Sequence, residues 1–452
     1  MRHTANPLDL DDIQGNILRG YGFPAAGYLF VRVDDPEAGR RWVGELVDPV
    51  TTAAEWVEGK PEHTLNVAFT APGLSALGVP ERLLATFPPA FVEGMRARAD
   101  LLGDRGPSDP ARWDDGLGQG TAHVMVTVDT LRAGALGEHM DDLRAYVERP
   151  GSGLAVVHEQ RAAVFAHARD QFGFADGFAQ PLVEHSGMPP RSGRGTPGRW
   201  WGWKPVKPGE FVLGYEDEDG LLPDSPAAPL GDNGTFMVYR KLYQDVAGFR
   251  RFLRAQGARF PGGEEKLAAK IVGRWRDGTP LVLSPDRPDP AISGDLERID
   301  DFRYRDDLDG FRCPLGAHIR RTNPRDALGW GGMRTKRHRI IRRGMPYGGP
   351  LPEGVLDDDG ADRGLVFICF NASIERQFET IQHQWCNDGN VFGLGADRDF
   401  LLGGPEGTGK MTVQGDPPVI VSPMLPFVQT RGGEYLFMPG LDALRALAAG
   451  FG

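Results

Sequence analysis

Cysteine is scarce in this chain of 452 residues: Cys313, Cys369 and Cys386 are the only three, and no two form a CxxC pair. That excludes a disulfide-built scaffold and a conventional zinc finger. No apolar run approaches the ~18 residues of a membrane-spanning helix. Neither HExxH nor HxH occurs among the ten histidines, so a zinc hydrolase has no ligand set. Basic residues are the minority, 51 Lys and Arg against 62 Asp and Glu, and the net charge of −11 repels nucleic acid and anionic membranes. Short-period repeats are missing, which argues against solenoids and propellers. The stretch from Met1 to Asp12 has neither an apolar export segment nor a twin arginine, so the cytoplasm is the expected location.

Glycine (62) and proline (37) are plentiful, which points to long, turn-rich connections between elements. The hydrophobic pattern divides the chain into two halves of like order. In residues 1–178, Gly27–Val33, Leu65–Phe69, His123–Val128 and Leu154–Phe165 read as strands, with helices over Asp35–Leu46 and Leu136–Val147. That is βαββαβ, the ferredoxin-like order. Residues 179–234 read as connecting loops rich in Gly, Pro and Trp. Residues 235–452 repeat the scheme: strands at Thr235–Leu242, His338–Ile341, Gly364–Phe370, Pro418–Val421 and Tyr435–Met438. Asp245 caps a helix ended by Gly257, Ile374 to Trp385 carries apolar residues at helical spacing, and Leu441–Leu447 closes the chain as a helix. The expected class is α+β, two βαββαβ units packed together.

Most histidines read as structural: His63, His123 and His158 in or beside strands, His139 and His383 on helices, His167 and His185 in loops, His3 near the terminus. His318 differs, because it follows Gly316 and Ala317, small enough for a planar ligand to approach, and precedes Arg320 and Arg321. One imidazole backed by arginines suits a haem, whose iron takes an axial histidine and whose propionates need cations. A packed histidine beside a surface basic loop is the other reading. Asp176, within Gly173-Phe174-Ala175-Asp176-Gly177, is either a turn residue or a carboxylate held toward a cavity as a proton shuttle. In Arg339-Ile340-Ile341-Arg342-Arg343-Gly344, strand alternation sends Arg342 and Arg343 to opposite faces, so one of them points inward. The acidic runs Glu216–Asp219, Asp300–Asp309 and Asp357–Asp359 read as solvated loops, and Trp200, Trp201 and Trp203 as loop packing.

Taken together, these segments resemble the dye-decolourising peroxidase family of haem enzymes. The similar stretches are DIQGNIL from Asp12, FGFADGFAQP from Phe172, CPLGAHIRRTNPRD from Cys313, RIIRRGMPYG from Arg339 and GLVFICFNASIERQFETIQHQW from Gly364. They fall in the family's order along nearly the whole chain. The resemblance implies a fold of two ferredoxin-like halves with haem beside the second. It implies one haem b per chain, with His318 as the iron ligand, Asp176 as the distal carboxylate and Arg342 as the distal arginine. Arg343 takes that place if the register moves by one. Arg321 is the further cation expected at the cofactor, and Glu375 the acid expected to hold the His318 imidazole. The implied activity is reduction of hydrogen peroxide through a ferryl state, with return by one-electron oxidation of small organic reductants such as dyes and phenols, favoured at acidic pH. A haem-binding or haem-transfer protein and a specialised biosynthetic haem oxidase stay open as alternatives, as does a homo-oligomer. Neither nucleic acid nor a membrane is an expected partner.

Overall fold

Strand β1 (Ala25–Val33) is apolar on both sides because both sides are covered. Leu29, Val31 and Val33 enter one core, and Tyr28 and Phe30 enter a second on the opposite face. The structure is a computed structural model that describes residues 7–165, 168–198, 202–402 and 409–451. With β2 (His63–Phe69), β3 (Val124–Thr130) and β4 (Leu154–Ala163), β1 forms an antiparallel sheet of order β4-β1-β3-β2. Two helices cover it. In α1 (Pro36–Val47), Asp35 caps the start by accepting from Ala38 N at 2.9 Å and Pro36 pre-sets the first turn. In α2 (Leu136–Glu148), Leu136, Met140 and Val147 are buried on one face.

The second half repeats this plan. Its strands are β5 (Thr235–Gln244), β6 (Ile341–Arg342), β7 (Met345–Tyr347), β8 (Gly364–Asn371) and β9 (Val428–Met438), in the order β9-β5-β8-β6, with β7 also on β8. Asp245 caps α3 (Val246–Gly257) by accepting from Gly248 N at 2.7 Å, and Val246, Phe249, Phe252 and Leu253 are all buried. Helix α4 (Gly263–Val272) packs on α3, α5 is the short His318–Thr322, and α6 (Leu441–Ala449) packs on α1. The pairing Phe69↔Phe437 joins β2 to β9, so the halves make one nine-stranded sheet, and its ends come together where β4 meets β7. One core fills the inside of this curl; helices cover the outside. On the outer face of β5, Phe236 and Val238 are core. Farther along, Arg240 and Leu242 face a cavity instead.

Three expectations for local structure change. Lys336–His338 forms a 3₁₀ turn and the strand is only Ile341–Arg342, because the side chains of His338 and Arg339 bond the backbone oxygens of Arg376 and Gly195. The stretch after Ile374 winds as a π-helix over Glu375–Glu379 and Ile381–Cys386, with i→i−5 bonds such as Glu379 N to Ile374 O at 2.9 Å. Val419–Val421 belongs to a separate ribbon with Met411–Val413.

The acidic runs are not uniformly solvated either. Asp217 is buried between Arg337 and Arg376, Asp300 contacts Arg274, and Asp307 contacts Arg320. A buried carboxylate needs such a cationic partner to persist ionised. Trp203 packs in its loop, donating to Asp301 at 2.8 Å. Trp200, Trp201, His3 and His167 lie outside the described residues. The three cysteines are buried and free, and among the described residues no helix is long and apolar enough to cross a membrane.

Candidate active site

The cavity, of about 290 Å³, lies between the outer face of β5, β8 and β9 and the segments carrying α5 and residues 170–179. Leu242, Leu365 and Phe367 give it an apolar wall, and His318, Asp176 and Arg342 all line it.

His318 is the first residue of α5, entered from the extended backbone of Ala317. Its Nδ1 lies 2.8 Å from Oδ2 of Asp399, a carboxylate with no exposed surface. The other Asp399 oxygen accepts from the amides of Leu401 (3.0 Å) and Leu402 (3.1 Å). Burial pushes the His318 imidazole toward its neutral form, but the Asp399 charge and hydrogen bond outweigh it and raise the pKa. A carboxylate only accepts, so the proton sits on Nδ1, and in the neutral imidazole Nε2 keeps its lone pair for the cavity. Glu375 does not fill this role. Its half-exposed carboxylate lies 3.7 Å from Arg98 at the start of the π-helix, because the chain turns it outward there.

Arg321 also differs from expectation. It is fully buried and donates to the backbone oxygens of Gly316 (3.2 Å), Trp385 (2.7 Å), Asp388 (2.9 Å) and Asp397 (2.8 Å). It ties α5 to the loop that delivers Asp399 and takes no part in the cavity wall. Gly316 and Ala317 are likewise behind the wall, with Ala317 in the core.

On the distal side, Gly173 and Gly177 hold positive φ of 89° and 91° around Asp176, a conformation that favours glycine. A Cβ on Gly173 would also come within 2.9 Å of Arg276 Nη1. Arg342 pairs with Cys369 across the β6–β8 ladder, and its amide donates to Gln180 Oε1 at 2.9 Å. Its guanidinium reaches Asp176 through three contacts of 3.2–3.3 Å. Some 57% of the Asp176 side chain is accessible, and it faces the cavity. Burial in the cavity pushes this carboxyl up, but the Arg342 charge, the Gly177 amide and the Arg342 hydrogen bonds outweigh it and hold the pKa below the usual carboxylate range. Arg343 points the other way, donating to Asn16 O at 2.9 Å and Ile17 O at 3.3 Å, because one residue along a strand reverses the face.

Five further arginines line the cavity: Arg105 and Arg240, paired with Asp100 and Asp104, and Arg274, Arg325 and Arg339. Arg274 contacts Asp300 at 2.7 Å. Arg325 donates to Asp300 O (2.8 Å) and Phe302 O (3.0 Å). Arg339 donates to Gly195 O (3.0 Å), and its Nη2 has no partner among the described residues. Burial pushes the Arg339 pKa down to about 10, and the Arg325 charge adds to this. Asp300 is the one carboxylate within 4 Å of the Arg274, Arg325 and Arg339 guanidiniums among the described residues, leaving two positive charges in excess. Buried, uncompensated cations favour an anionic ligand.

A family model described as DyP dimeric alpha+beta barrel domain matches residues 12–164, and one described as Dyp-type peroxidase, C-terminal, matches residues 270–392. A dye-decolorizing peroxidase of Mycena epipterygia is 30% identical, over 98% of this chain and 87% of the relative. A multifunctional dye peroxidase of an Amycolatopsis species is also 30% identical, over 97% of this chain and 96% of its own. The chain belongs to the dye-decolourising peroxidase family. Among solved structures, an ancestral D-type dye decolorizing peroxidase superposes with a TM-score of 0.83 at 29% identity, over 98% of this chain and 100% of that one. This dye-decolourising peroxidase is therefore an oxidoreductase with peroxide as electron acceptor, from a haem-dependent family.

Sequence reasoning missed Asp399, which lies 81 residues from His318 in a Gly-rich loop with no local signature. Arg325 and Arg339 sat inside the quoted segments, and Arg274 outside them. Their burial against a cavity was not readable from composition.

Proposed function

We propose that the cavity of this peroxidase holds one haem b, and that the enzyme uses it to reduce hydrogen peroxide at the expense of dyes and phenols. The observation carrying this reading is the pairing, in one cavity, of an imidazole with a free Nε2 and a distal carboxylate–arginine pair. A haem carrier needs the imidazole but not the ionised pair. The residues fit the cofactor: His318 Nε2 is a ligand for iron, the apolar wall accepts a planar macrocycle, and the two excess charges of Arg274, Arg325 and Arg339 match two propionates. When bound, haem supplies the redox chemistry of peroxide cleavage.

The protein residues then divide the remaining work. Asp399 keeps the His318 imidazole oriented and electron-rich. Asp176, ionised in the resting site, takes the proton from the near oxygen of peroxide and returns it to the far oxygen as water leaves. Arg342 stays protonated and offsets the negative charge that develops on the oxygens. A solved dye-decolorizing peroxidase complexed with 2,6-dimethoxyphenol, 28% identical with a TM-score of 0.82 over 98% of this chain, supports phenols as reductants.

The test is haem titration of the purified protein followed by peroxide-dependent oxidation of 2,6-dimethoxyphenol. Stoichiometric binding and turnover are expected in the wild type, with loss of haem or an altered ferric spectrum in His318→Ala. A His318→Ala protein with normal haem content and spectrum overturns the ligand assignment. Haem uptake with no turnover favours the carrier reading.

A further inference from the structure

Besides Asp176 and Asp104, which pairs with Arg240, the cavity wall holds a carboxyl group that the chemistry above does not use. Asp170 opens the same turn that carries Asp176. Its amide donates to Phe174 O at 2.9 Å, its own carbonyl accepts from Gly173 N at 3.0 Å, and its Oδ1 accepts from Phe174 N at 2.8 Å. No side chain among the described residues is hydrogen-bonded to this carboxyl, and Asp170 lines the cavity together with Asp176. We propose that Asp170 is a second proton-carrying group of this cavity, resupplying Asp176 with protons drawn from solvent during turnover. The inference rests on the peroxidase reading of the site.

Stoichiometry gives the reason such a group is needed. Reducing one peroxide to two waters consumes two electrons and two protons beyond those the peroxide brings. Moving a proton between the two peroxide oxygens, the task of Asp176, supplies neither. A reductant that donates only electrons leaves the enzyme to collect both protons from solvent. In each transfer the Asp170 O–H bond breaks, a cavity water carries the proton, and Asp176 gains it; Asp170 then recovers a proton from solvent.

The charged groups around Asp170 keep a proton on it in the resting site. Burial pushes its carboxyl up to about 6, the negative charge of Asp176 adds to that, and Arg276 with the Phe174 and Gly173 amides oppose it. Arg276 is itself engaged by Glu265 at 2.9 Å and by the Phe172 carbonyl. Asp176, by contrast, is held below the carboxylate range beside Arg342. Two carboxyls whose environments push them apart divide into a resting acid and a resting base; transfer from Asp170 to Asp176 is uphill, and it is drawn forward because Asp176 passes the proton on to the oxygen that becomes water.

Asp170→Asn separates this role from a purely structural one, because the amide oxygen still accepts from Phe174 N–H while the group no longer carries a proton. The experiment is steady-state turnover of haem-loaded enzyme with peroxide and ferrocyanide, an electron-only donor, across about pH 4.5 to 7.5. Wild-type turnover is expected to fall as pH rises through about 6, where Asp170 loses its proton. Asp170→Asn is expected to lose that inflection and to run about 100-fold slower near pH 5. It should keep wild-type haem content and melting temperature, and Asp170→Glu should restore the inflection. An Asp170→Asn enzyme with the wild-type profile and rate overturns the proposal. So does a pH-independent drop accompanied by haem loss, which makes Asp170 a turn residue only. A wild-type enzyme that binds haem but does not turn over refutes the underlying peroxidase reading instead.

Discussion

Replacing Asp176 by asparagine removes one proton-accepting group and little else. The amide still offers an oxygen to Arg342, whose contacts with Asp176 span 3.2–3.3 Å, so the arginine keeps a partner. Deleting a positioned general acid–base slows the assisted step by ~10²–10⁴-fold. At about 1.36 kcal/mol per factor of ten, that raises the barrier by about 2.7–5.4 kcal/mol. The assay is stopped-flow mixing of haem-replete enzyme with stoichiometric peroxide, following the first change in the haem absorption band. The pH dependence supplies a second arm. Because Arg342 holds the Asp176 pKa below the usual range against the effect of burial, the base form persists into acid, and wild-type activity persists with it. In Arg342→Leu only the Gly177 amide and the Arg274 charge still oppose burial and the Asp176 pKa rises, so the acid limb of the rate profile moves to higher pH. If Asp176→Asn reacts at the wild-type rate while Arg342→Leu does not, the two roles are reversed and the reasoning is refuted.

Asp399→Asn should lower haem affinity by about 10–100-fold, the usual cost of removing a ligand's carboxylate partner; equilibrium haem transfer to apomyoglobin measures it, and unchanged affinity contradicts the assignment. Arg339→Met removes a buried cation whose Nη2 has no partner among the described residues. Apoprotein stability in urea should therefore hold or rise while haem affinity drops, and the opposite pair of results would remove Arg339 from the cofactor site. Arg321→Ala strips the donor from three buried carbonyls and one part-buried one, at about 1–3 kcal/mol for each buried group left unsatisfied. The apoprotein should lose more than about 3 kcal/mol in urea unfolding; a stable apoprotein with impaired haem binding alone would return Arg321 to the cofactor.

The two βαββαβ units were legible because local rules set them. Strand β1 is apolar where both its faces are covered, Asp35 and Asp245 cap the helices they precede, and α2 buries Leu136, Met140 and Val147 at helical spacing. His318, Asp176 and Arg342 were legible too, since each stands in a segment that resembles its family counterpart, and the fold brings all three to one cavity. Which other charged groups join them was decided only by tertiary packing. Asp399 reaches His318 across 81 residues, Glu375 turns outward to Arg98, and Arg321 and Arg343 spend their donors on backbone carbonyls behind the wall. Arg274, Arg325 and Arg339 face the cavity instead, and Asp217, Asp300 and Asp307 are buried by arginines remote in sequence. The physical reason is that a cap or a periodic face is satisfied within a few residues of itself. A long charged side chain has no such local partner, and its place is set by whichever distant carbonyl, carboxylate or cavity the finished fold brings within ~3 Å.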